Sequence, residues 1–202
     1  MTARVILVRH AAHDNVGGYL AGRTPGVPLG AAGQAQARRL AGRMARERID
    51  IIQSSPVQRT RETAQAIADI AAREVEIAPA LEEVDFGAAW AGRTFEELNR
   101  HEHWRRWNAA RSVTATPAGE TMLSVQQRVY GHILANVRAH PDAHIVMVSH
   151  ADPIRTALAV VLGMSLDRLQ SLDIAPASIS IVDFDPWGAT VRLVNELTRD
   201  ED

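Results

Sequence analysis

Val5-Ile6-Leu7-Val8-Arg9-His10 is a run of four apolar residues that stops at a guanidinium and an imidazole. A continuous, β-rich run this short reads as a strand buried on both faces. In a parallel sheet, the carboxyl end of such a strand is where ligands bind, and the Arg-His pair falls there. Ile145-Val146-Met147-Val148-Ser149-His150 repeats the arrangement 140 positions later. If these two strands are neighbours, both imidazoles meet in one pocket.

The stretches around this pair alternate in character. Residues 31–48 carry a helical pattern, with Ala35, Leu40, Met44 and Ala45 among its apolar positions. Residues 50–53 read as a strand ending at Ser54-Ser55-Pro56, where Ser55 is placed to cap a helix over 57–72. Residues 74–77 suggest an edge strand, 120–139 a long helix, 154–162 another helix, and 178–194 a hairpin turning at Asp185-Pro186-Trp187-Gly188. Strands alternating with helices predict an α/β fold with a mostly parallel central sheet and helices on both faces. Residues 81–119 are the least regular and hold three of the four tryptophans and short helical pieces, so a lid or insert is expected at about 84–118 of a single domain spanning 1–202.

Composition narrows the function classes. At 202 residues the chain can bury roughly 70% of its unfolded surface without staples. It has no cysteine, which excludes disulfides, thiolate metal sites and cysteine nucleophiles. The net charge of −2 gives no basic surface for nucleic acid. Met1-Thr2-Ala3-Arg4 runs straight into the first strand, and no apolar stretch approaches the ~20 residues of a membrane span, so a cytoplasmic location without membrane attachment is expected. All 22 basic residues are arginine. Arginine forks suit phosphate, but genomic composition explains the bias as readily.

Individual candidates are weak when taken singly. Arg9-His10 at a buried strand end places charge where only an anionic partner offsets the burial. Arg59 falls in the first turn of a helix, opposing the helix dipole unless an anion sits nearby. Glu83 lies in the acidic cluster Leu81-Glu82-Glu83-Val84-Asp85-Phe86-Gly87.

Leu7-Val8-Arg9-His10, Ser54-Ser55-Pro56 through Arg59-Thr60 and Glu62-Thr63-Ala64, Leu81 to Gly87, and Ser149-His150 together resemble the histidine phosphatase superfamily, also called phosphoglycerate mutase-like. Gly22-Arg23, Pro28-Leu29, Gly33-Gln34-Ala35-Gln36-Ala37, Gly119-Glu120 and Ile154-Arg155 extend the likeness over nearly the whole chain, in the family's order. The resemblance implies a three-layer α/β sandwich and a cofactor-free, metal-free phosphatase acting on a small phosphomonoester. It implies that His10 is the nucleophile, and that Arg9, Arg59 and His150 hold the phosphoryl oxygens. Glu83 would protonate the leaving oxygen and later activate water. Surrounding arginines are expected to keep His10 neutral, and to keep Glu83 ionised until phosphate arrives.

His13, Asn15, Arg23 and Ala151 are the expected substrate-binding positions. Several of them depart from the family's pattern. Alanines (Ala11, Ala151) follow the two histidines where the family has glycine, and His13 replaces a threonine. The family's asparagine position falls on Val16, beside Asn15, and the tryptophan after Phe86-Gly87 is displaced to Trp90. If either alanine needs positive φ, strain of about 1 kcal/mol or more follows. His13 suits either phosphate binding as an imidazolium or a surface loop. Alternatives to a phosphatase are phosphoglycerate mutase-type transfer and a non-catalytic phospho-ligand-binding protein. A metal site at His101-Glu102-His103 is disfavoured because residues two apart do not share a helix face. A homodimer is the common prior for such a chain.

Overall fold

A computed structural model of the protein describes residues 2–198. Its sheet has six strands: β1 (Ala3–Arg9), β2 (Ile51–Ser54), β3 (Val75–Ile77), β4 (His144–Ser149), β5 (Ile179–Asp185) and β6 (Gly188–Glu196), in the order β3-β2-β4-β1-β5-β6. The first four are mutually parallel, and β5 and β6 add an antiparallel edge. β1 and β4 are direct neighbours, with Arg9 opposite Ser149. The two Arg-His and Ser-His ends therefore emerge side by side.

Alternation along the strands divides the core between two helical layers. Val5, Leu7, Ile145 and Met147 face one cluster, with α6 (Met122–Ala139) and α7 (Ala151–Leu162). Ile6, Val8, Val146 and Val148 face the other, with α1 (Ala31–Met44) and α2 (Gln58–Ala71). Because both faces are covered, β1 and β4 are apolar at every core position, as the uninterrupted runs predict. This is the three-layer α/β arrangement expected.

The differences from the expected boundaries have physical causes. α1 stops at Met44, four residues early. α7 begins at Ala151 rather than at 154, because Pro153 fits its first turn, where no backbone donor is needed. Ser55 does not cap α2. The helix opens after Val57, whose extended backbone takes the N-cap place without a side-chain bond, and the Ser55 hydroxyl turns to His150 instead. The irregular segment contains α3 (Gly87–Trp90), α4 (Phe95–Asn99) and α5 (Glu102–Ala109). Trp90, Trp104 and Trp107 gather there with Phe86 at centroid separations of 5.1 to 6.4 Å, joining the cluster on the α6–α7 face. No helix among the described residues is long and apolar enough to cross a membrane.

Candidate active site

β1, β4 and α2 deliver the central groups. Past the end of β1, His10 is 3% exposed, and its Nδ1 lies 2.8 Å from the Ala11 carbonyl. A carbonyl only accepts, so Nδ1 carries the proton and Nε2 presents a lone pair. Arg59 Nε donates to that lone pair at 3.1 Å, and Arg59 Nη2 donates to His150 Nδ1 at 3.1 Å and to the Gly22 carbonyl at 2.7 Å. With Nδ1 accepting, His150 donates from Nε2 to Ser55 Oγ at 3.0 Å. The two imidazoles meet edge to face, 5.1 Å between centroids. Burial, then the Arg59 charge, holds both well below the ordinary histidine pKa, so both are neutral.

Among the described residues, two donors in this cluster find no acceptor. Arg59 Nη1 and Arg9 Nε are buried and unbonded, while Arg9 Nη1 donates to the Ile174 carbonyl at 2.6 Å. Buried guanidinium donors without acceptors are costly, and an anion among them would satisfy both. Both arginines line a cleft of about 840 Å3 together with His10, His13, Glu83 and Ala151.

Glu83 Oε2 stands 3.9 Å from His150 Nδ1, and Oε1 accepts from Val84 N–H at 2.9 Å. Burial pushes its pKa up to about 7, Asp152 adds to the rise, and Val84 N–H, Arg59 and Arg9 oppose it. The arginines were expected to keep Glu83 ionised in the empty site; instead desolvation outweighs them, and a substantial share of the carboxyl keeps its proton near pH 7.

The expected substrate-binding residues divide. His13 is 8% exposed and lines the cleft, 6.2 Å from His10 between ring centroids, so it is not a surface-loop residue. Its Nδ1 donates to the Asp14 carbonyl at 2.7 Å and burial lowers its pKa, which disfavours the imidazolium of the other alternative. Asn15 is instead on an exposed turn at φ +63°, and the neighbouring Val16 lines the cleft. Arg23 does not line it either; it pairs with Glu82, Asp85 and Glu120. Neither Ala11 nor Ala151 has positive φ, so alanine imposes no strain at these positions. His103 Nε2 bonds the Ala115 carbonyl at 2.8 Å, and among the described residues no trio of His, Asp or Glu is grouped to hold a metal ion.

The sequence reading missed Asp152, whose Oδ1 pairs with Arg111 at 2.9 Å and Arg155 at 3.0 Å on the cleft wall. Burial raises the Asp152 pKa, but the two guanidiniums together overcome it and hold the carboxyl low. A carboxylate in the otherwise apolar start of α7 was the available signal.

Residues 5–197 match the histidine phosphatase superfamily (branch 1). The chain belongs to this family. Within it, phosphoserine phosphatase 1 of Hydrogenobacter thermophilus is 34% identical over 183 residues, covering 89% of this chain and 85% of that one. A probable phosphoglycerate mutase, GpmB, of Cronobacter sakazakii is 31% identical, covering 93% and 88%. The chain spans 54% of the length of longer mycobacterial relatives that it also matches. Among solved structures, this histidine phosphatase superposes on phosphoserine phosphatase of Entamoeba histolytica in complex with 3-phosphoglyceric acid, with a TM-score of 0.87, 27% identity, and coverage of 96% and 97%.

Proposed function

We propose that the protein is a metal-independent phosphomonoester hydrolase working through a phosphohistidine on His10. The observation that carries this reading is Arg59, one guanidinium bonded to both imidazoles with a buried Nη1 to spare. Phosphoryl transfer needs mainly positioning and positive charge around three equatorial oxygens. Arg9, Arg59 and His150 supply it. An incoming phosphoryl group takes the Arg59 donors as acceptor, which releases the Nε2 lone pair for attack.

In the first step the His10 Nε2–P bond forms and the ester P–O bond breaks, with Glu83 giving its proton to the leaving oxygen. In the second, Glu83 as carboxylate takes a proton from water, whose oxygen bonds phosphorus while the P–N bond breaks. A donor poised at about 7 is close to the working pH, where proton transfer in both directions is efficient. His13, Val16 and Ala151 face the leaving group, and His13 Nε2 accepts from a donor on it. The relative and the solved structure named phosphoserine phosphatase make phosphoserine the first physiological substrate to try.

Hydrolysis of p-nitrophenyl phosphate with chelator present, by the wild type and by His10→Ala, tests the reaction. Activity that survives chelation and disappears in the variant is expected; activity that EDTA abolishes contradicts the metal-free reading. The similarity to a probable phosphoglycerate mutase supports a second reading, transfer to an acceptor. Phosphate appearing on 3-phosphoglycerate faster than in water would favour it.

A further inference from the structure

Glu83 Oε1 is bonded to the neighbouring main chain, so the carboxyl goes where that main chain goes. Two arginines hold it. The Glu83 carbonyl accepts from Arg23 Nε at 2.8 Å and from Arg128 Nη2 at 3.0 Å. Arg128, on α6, also donates from Nη1 to the carbonyls of Ala80 at 2.9 Å and Glu82 at 2.7 Å, so one guanidinium reads three carbonyls of the same loop. Glu120 ties the two arginines together. Its Oε1 accepts from Arg128 Nε at 3.1 Å, and its Oε2 accepts from Asp85 N–H at 2.6 Å and faces Arg23 Nη2 at 3.3 Å. On the other side of Arg23, the Gly22 carbonyl accepts from Arg59 Nη2. Gly22 has φ +52°, and a Cβ there would lie 3.2 Å from the Phe86 ring, so the strap fits tightly between loop and cleft.

We propose that Arg23 and Arg128 are positioning residues for the chemical step, fixing the Glu83 main chain and, through Gly22, keeping the proton donor in register with the phosphate-facing Arg59. The proposal rests on Glu83 being the proton donor. Neither arginine touches the substrate. Each acts through several donors in a planar fork, which a lysine supplies only in part.

Two substrates separate positioning from general support. The nitrophenolate of p-nitrophenyl phosphate leaves without a proton, whereas the alkoxide of β-glycerophosphate requires one. Glu83→Gln should lose about 100-fold or more in kcat/KM on the alkyl ester and far less on the aryl ester, because kcat/KM reports transfer to His10 and not the dephosphorylation that both esters share. Arg23→Met and Arg128→Met should show the same bias, at about tenfold in kcat/KM on the alkyl ester. Arg23→Lys should recover part of the loss. Adding Arg23→Met to Glu83→Gln should cost nothing further, because the positioned group is already gone.

Equal losses in kcat/KM on both esters, or an additive loss in the double variant, would overturn the proposal. Arg23→Lys melts close to wild type if the fold is intact, so a loss on both esters in that variant also counts against it. An unbiased Glu83→Gln would remove the proton-donor assignment itself. It is told apart from failure of the positioning role by which variant lacks the bias.

Discussion

Glu83, with its pKa raised to about 7 chiefly by burial, would set the alkaline limb of the proposed reaction. As a donor it works protonated, so kcat/KM should be level on the acid side and fall tenfold per unit as pH climbs past about 7. His10 and His150, held well below the usual histidine range, place any acid limb well under 6.5. A rate still rising through pH 9 would remove Glu83 from the role. Asp152 offers a finer check. Its negative charge supports the proton on Glu83, and its loss would also unmask Arg111 and Arg155. Asp152→Asn should therefore move the alkaline limb of kcat/KM to lower pH, and an unmoved or upward-shifted limb contradicts the coupling. At this scale the sequence revealed which residue types gather, because family motifs record identity and order. It could not reveal burial, which reverses the sign for Glu83, nor side-chain direction, which turns Arg23 away from the cleft and toward a carbonyl.

Helix α1 lies against the loop that follows His10, and Gly33 is the contact: a Cβ there would fall 1.7 Å from the Ala12 carbonyl oxygen. Gly33→Ala must push the helix or that loop aside. It should cost about 3 kcal/mol by chemical denaturation and lower kcat, since His10 sits two residues before Ala12. Gly42, on the same helix with nothing within 4 Å, is the control; Gly42→Ala should be neutral or stabilise by about 0.5–1 kcal/mol. A Gly33→Ala variant as stable as Gly42→Ala would mean that the close approach does not exist in solution. The long elements were legible because their periodicity extends over several turns. The helices between Gly87 and Ala109 were legible only as short pieces without boundaries, because elements of four to eight residues owe their placement to the tryptophan cluster they pack into rather than to propensity. One local signal there was readable: Thr94 and Glu97 form a reciprocal cap at the start of α4, a spacing visible in the sequence.

On the scale of the molecule, one sheet supplies both faces of the core, and each of the central strands belongs to both clusters. A defect on either face should therefore weaken the same cooperative unit. Leu40→Ala on the α1–α2 face and Leu158→Ala on the α6–α7 face should each cost about 2–5 kcal/mol, with a single calorimetric transition in both. Two separate transitions in either variant would show that the layers melt independently. The sheet order was only partly legible. Neighbouring of β1 and β4 followed from two matching strand ends, whereas β5 inserting antiparallel beside β1 left no mark in its own apolar run. That placement also governs how the enzyme comes into being on the ribosome. The strand leading to His10 is made well before its partners, which begin only at His144 and Ile179. During translation β1 waits with both edges open, and pairing across so long a separation is slow and exposed to aggregation. His10 is thus synthesised long before the strands that set it in place, so a nascent chain acquires the proposed phosphate chemistry only once β4 and β5 have emerged.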